Sequence, residues 1–112
     1  MRTNLAIISP KAGDIWYFGD IHYIKWATNN EDDEVLNIEI QMDGAAHPIV
    51  DNVPMNACKY VWRVDVPAWD GYIIKLSSPS SPSVFSGSFE IREYPKNPFS
   101  KLLTKIFNLF KY

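Results

Sequence analysis

Two histidines, His22 and His47, and one thiol, Cys58, are the side chains of this 112-residue sequence suited to imidazole or nucleophile chemistry. A thiol held beside an imidazole can form a reactive thiolate. Neither Cys58 nor His47 sits in a motif that would bring the pair together, however, and HExxH, GxSxG, CxxC and glycine-rich phosphate loops do not occur. The acidic run Glu31, Asp32, Asp33, Glu34 offers oxygens of the kind calcium takes. It lacks the spacing and central glycine of an EF-hand, so it reads as a solvated loop. No catalytic residue, metal ligand or cofactor is expected, and the chain reads as a non-enzyme.

Aromatic and apolar side chains offer a different chemistry, that of contact. Trp16, Tyr17, Phe18, Tyr23 and Trp69 cannot all point inward from period-two strands. A flat ring matches the apolar face of a sugar, which makes Trp16, Tyr17 and Trp69 a candidate carbohydrate-binding set. The competing reading is core or edge packing, because large rings dominate the interiors of small sandwiches.

At the other end, Asn97 and Pro98 form an N-cap and first-turn proline. Phe99, Leu102, Leu103, Ile106, Phe107 and Phe110 then follow at helical spacing, opposite Lys101, Thr104, Lys105 and Asn108. Burying such a stripe is worth about 1.5–3 kcal/mol per large side chain. These six residues are the expected partner-binding set. A protein groove or self-association is the first expectation, and a lipid surface the less favoured one.

The elements that would carry these groups are strands. Leu36, Ile38, Ile40 and Met42 alternate with Asn37, Glu39 and Gln41, the clearest period-two pattern in the chain. Ile24 and Trp26 share a face with His22, Tyr60 and Trp62 with Val64, Tyr72 and Ile74 with Leu76, and Phe89 with Ile91. Leu5 to Ile8 form an apolar run ended by Pro10, and residues 14–18 continue it past Gly13.

Turn signals divide these runs every 8–12 residues or so, as in a sandwich. Residues 46–50 read as a weak strand, residues 51–57 as turn-rich because of Pro54, and the serine-proline stretch 77–83 as an extended loop. Gly71 reads as part of a turn and Gly87 as a bulge.

Bulk properties narrow the class. The chain fits one domain at residues 1–94 followed by a tail at 95–112, and 46% apolar residues supply a full core. A net charge of −2 gives no electrostatic case for nucleic acid. The tail is the exception, with Lys96, Lys101, Lys105 and Lys111 and no acid. A lone cysteine rules out an intrachain disulfide. A signal peptide and a membrane-spanning run are not expected, and the localisation stays open, with a virion or other assembly surface as one setting.

The segments SPKAGDIWYFGD, YIKW, LNIEIQMDG, YVWRVDVP, GYIIKLSS and SGSFEI resemble the immunoglobulin-like domain of the serine-threonine-rich, GPI-anchored cell-wall protein family. That family includes the fungal β-glucan-assembly proteins, with similar domains on prokaryotic surfaces. The resemblance spans about residues 7–91, and its most specific parts are the P-x-x-G-x-x-W start at Pro10 and the I-x-W of Ile24 and Trp26. His22 stands where that family has an aliphatic residue, and neither a stalk nor an anchor signal is expected from the residues after the β-domain. The resemblance implies a seven-stranded immunoglobulin-like sandwich without catalytic residues.

The expected whole is therefore an all-β sandwich with a short C-terminal amphipathic helix. Its expected role is a non-catalytic structural or interaction module of a larger assembly, virion decoration for example. The alternative is a carbohydrate-binding module.

Overall fold

A computed structural model describes residues 4–29 and 33–95 of the protein. Among these residues nine strands run in order: β1 Leu5–Ser9, β2 Ile15–Tyr17, β3 Ile21–Thr28, β4 Val35–Met42, β5 Ala45–Pro54, β6 Lys59–Arg63, β7 Trp69–Ser78, β8 Ser81–Phe85 and β9 Phe89–Arg92. They form two sheets. One has the order β1-β3-β6; the larger has the order β2-β9-β7-β4-β5, with β8 also on β7.

This is an all-β sandwich with immunoglobulin-like strand order, first, second and fifth strand paths on one side and the rest opposite. The expected seven strands correspond to seven paths. Two paths are interrupted: the first divides into β1 and β2, and the last into β8 and β9.

The interruptions meet. After β1 the chain passes a cis Ser9–Pro10 bond and Gly13, at φ +84°, then crosses from the smaller sheet to the edge of the larger one. There Gly13 N–H donates to the Ser88 carbonyl at 2.9 Å and Glu90 N–H to the Asp14 carbonyl at 2.9 Å. Ala12 comes so close to Gly87 that a Cβ on Gly87 would lie 2.6 Å from the Ala12 Cβ. Gly87 is thus not a bulge within one strand: it lies in the gap between β8 and β9, where the missing side chain admits the crossing segment.

Period two decides the core. Leu36, Ile38 and Ile40 of β4 are fully buried between β5 and β7, and Ile74 and Leu76 of β7 join them. Ile24 and Trp26 of β3, with Trp62 of β6, close the core from the other sheet. Two hydrogen bonds tie these rings to the connections between sheets. Trp26 Nε1–H donates to the Met55 carbonyl at 2.7 Å, in the 3₁₀ turn after β5. Tyr72 O–H donates to the Pro67 carbonyl at 2.6 Å, just upstream of its own strand. The latter is the tyrosine corner of immunoglobulin-like sandwiches, and burial raises the Tyr72 phenol pKa.

Three local expectations are corrected. Residues 51–54 are strand, not turn: β5 is an edge strand, so Pro48 and Pro54 forfeit no ladder bond that the sheet needs. The serine-proline loop shrinks to Pro79 and Ser80, because Ser78 pairs with Ser81 and β8 lies on the free side of β7. Gly71 lies within β7 rather than in a turn, and a Cβ there would meet the Trp69 ring at 2.7 Å. The C-terminal helix and the division at residue 94 concern a segment that, from residue 96 on, lies outside the described residues.

Candidate interaction surface

On β3, Ile21, Tyr23 and Lys25 alternate outward while Ile24 and Trp26 point in. On β6, Lys59, Val61 and Arg63 do the same around Trp62. Antiparallel register sets Ile21 across from Arg63, Tyr23 from Val61 and Lys25 from Lys59. Ile8 adds an exposed apolar side chain from β1. The outer face of the three-stranded sheet is therefore apolar along its middle, with Ile21 66%, Val61 51%, Tyr23 48% and Ile8 46% exposed.

The charges at the outward positions of β1, β3 and β6 all have one sign; the exposed Asp65, two residues past Arg63, lies beyond the end of β6. Both lysine ammonium groups stand over the Tyr23 ring, Lys59 Nζ at 5.2 Å and Lys25 Nζ at 5.8 Å from its centroid. The negative face of the ring attracts both cations. That attraction offsets part of a cross-strand pairing which is otherwise repulsive. Among the described residues, none of Lys25, Lys59 and Arg63 forms an ion pair.

The proposed sugar-binding rings do not make a platform. Trp16 is corrected: it is buried at 5% exposure, packed against Trp62 and Phe89 and stacked on His22 at 4.3 Å with 3° between ring planes. Its strand of three residues is too short to show a period, so sequence reasoning could not tell which way it faces. His22, on the inward-facing side of β3, serves as the other half of that stack. Its Nε2 is buried without a hydrogen-bond partner.

Tyr17 is half-buried and stacks on Tyr94 at 4.6 Å, and Trp69 meets Tyr72 edge-on at 5.4 Å. A shallow groove of about 520 Å³ runs beside Trp69, lined also by Asp70, Glu90 and Arg92. Arg92 donates to Glu90 at 2.6 Å, which lowers the Glu90 carboxyl pKa and raises that of Arg92. The groove's cation is thus already engaged.

The remaining chemistry-bearing residues stand apart. Cys58 is exposed, with φ +62°, and its Sγ donates to the Asn56 carbonyl; His47 is exposed on the edge strand β5. No hydrogen bond joins them. Glu34 of the acidic run accepts from the Ser80 hydroxyl, while Glu31 and Asp32 lie outside the described residues. Among the described residues no group of three or more His, Cys, Asp or Glu side chains could hold a metal ion, and no helix is long and apolar enough to cross a membrane. Phe99, Leu102, Leu103, Ile106, Phe107 and Phe110 lie outside the described residues.

No family model matches the chain, so none supports the resemblance to the cell-wall proteins. No curated protein matches it either. A similar solved structure is that of the fibronectin(III)-like modules of CbhA from Clostridium thermocellum: 14% identity and a TM-score of 0.44, over 80% of this chain and 94% of that one. At that distance the strand order and the tyrosine corner of this chain carry the fold assignment by themselves.

Proposed function

We propose that the protein is a non-catalytic interaction module of a larger particle or surface assembly, held by its C-terminal segment with the sandwich displayed. The observation behind this reading is the completeness of the core. Among the described residues sixteen buried apolar side chains, from Trp16 to Ile91, fill the space between the sheets, which supports a role outside the core for the apolar stripe at Phe99, Leu102, Leu103, Ile106, Phe107 and Phe110. An uncovered stripe of that size is an aggregation hazard, and a partner groove removes it. Virion decoration is one assembly of this kind. Sugar binding is the weaker reading, since Trp16 is buried and Tyr17 and Trp69 pack on different neighbours.

The test substitutes Leu103→Glu and Phe107→Glu together in the full chain. Co-sedimentation with particles or surface fractions from the source should be lost, while thermal unfolding shifts by no more than about 2 °C. A drop of many degrees with sedimentation unchanged would mean that the segment packs on its own sandwich.

A further inference from the structure

We propose that the outer face of the three-stranded sheet is a second docking site, and that its occupant is an acidic protein surface with an apolar centre. The proposal goes beyond the C-terminal contact and uses no property of that segment's structure. It rests on the arrangement of charge around Tyr23 and Val61. Lys25 and Lys59 face one another at one end, and Arg63 stands at the other end of β6. With a strand rise of about 3.3 Å, Lys59 and Arg63 are about 13 Å apart. No outward position of β1, β3 or β6 is a carboxylate.

Other occupants fit less well. A second copy using the same face would set lysines against lysines. The protein's own C-terminal segment brings Lys96, Lys101, Lys105 and Lys111 and no acid. An anionic bilayer attracts the cations as an acidic protein surface does, so charge alone does not separate the two. A flat sheet face, unlike a protruding loop or an amphipathic helix, has no way to sink its side chains below the headgroups. Carboxylates about 13 Å apart around an apolar patch satisfy both the cations and the exposed Tyr23, Val61 and Ile21. A protein surface can present that pattern.

The experiment uses the isotope-labelled full chain and three probes. Two are synthetic peptides of equal length and equal Phe and Leu content, one carrying Glu and the other Lys; the third is a phosphatidylserine–phosphatidylcholine vesicle. The Glu peptide should shift the amides of β3 and β6, and its Kd should weaken about tenfold or more in Lys59→Glu and in Tyr23→Ser. Raising the salt should weaken it too. Lys75→Gln, on the opposite sheet, should leave it unchanged. Amide dispersion in each variant checks that the fold is kept.

Three results would overturn the proposal: equal affinity for the Lys peptide, a response to the vesicle alone, or movement of the Ile21, Tyr23 and Val61 amides by Phe107→Glu with no probe present. The last would mean that the chain's own C-terminal segment covers the face. None of them bears on whether that segment holds an assembly.

Discussion

On the outer face of the three-stranded sheet Lys25 lies directly across from Lys59, whereas on the outer face of the larger sheet Lys75 lies across from Glu39 and pairs with it at 3.2 Å. Farther along the larger sheet Arg92 pairs with Glu90, and Lys75 also stands 5.9 Å over the Phe85 ring. Among the described residues, one face has Lys75 and Arg92 matched by acids, and the other leaves Lys25, Lys59 and Arg63 without an ion pair around an apolar strip. Both faces belong to one sandwich with one core, so stability of the core does not require the difference. The unmatched cations around the apolar strip are what the proposed docking site rests on.

That comparison assumes that the inner faces carry the fold. Trp26→Phe tests it most severely, because it opens a cavity and leaves the Met55 carbonyl only the longer hydrogen bond from the Cys58 N–H, at 3.4 Å, in place of the 2.7 Å bond from Trp26 Nε1–H. The expected loss is about 2–4 kcal/mol by chemical denaturation. If outer substitutions such as Tyr23→Ser cost as much, the division between fold and contact fails.

Gly87→Val comes next. The added Cβ would lie 2.6 Å from the Ala12 Cβ, so the crossing segment must move. A loss of about 1–3 kcal/mol is expected, with amide shifts spreading through β2 and β9 but not through β6.

Charge reversal sharpens the contrast, because its sign should differ between the faces. Lys59→Glu puts a carboxylate across from Lys25 and should stabilise by about 0.2–1 kcal/mol; Lys75→Glu puts one across from Glu39 and should destabilise by a similar amount. Thermal unfolding at low salt reads both. The same sign for the two substitutions would remove the asymmetry.

The smallest effect lies where the faces meet. Tyr94 stacks on Tyr17 of the larger sheet and donates its hydroxyl to Asp20, just before β3, at 2.5 Å. That hydrogen bond raises the Tyr94 phenol pKa, with burial a lesser cause. A raised folded value means that the contribution is whole below the ordinary phenol pKa and is lost as pH rises through the raised one. Tyrosinate absorbance should show Tyr94 and the buried Tyr72 titrating late, and Tyr94→Phe should remove one of these two late-titrating phenols while Tyr72 remains; an unchanged late amplitude would assign the step to other tyrosines.

Much of the inner face is legible in the sequence. Alternation alone turns Ile24, Trp26, Leu36, Ile38, Ile40, Ile74, Leu76, Phe89 and Ile91 inward, and all are buried. Alternation reports which side of a strand a residue takes, and long strands repeat that report several times. Trp16 escapes this reasoning because β2 is too short to repeat it. Gly71 and Gly87 escape it because their reasons, the Trp69 ring and Ala12, are contacts made in space.

Sequence by itself determined that the region up to residue 94 is a β-domain, which residues of its longer strands are core, and that His47 and Cys58 stand in no recognisable catalytic motif. Only the tertiary structure decided that Lys25 faces Lys59 while Lys75 faces Glu39. The reason is physical: the side a residue takes is local to its strand, whereas the residue it meets is set by register between strands far apart in the chain.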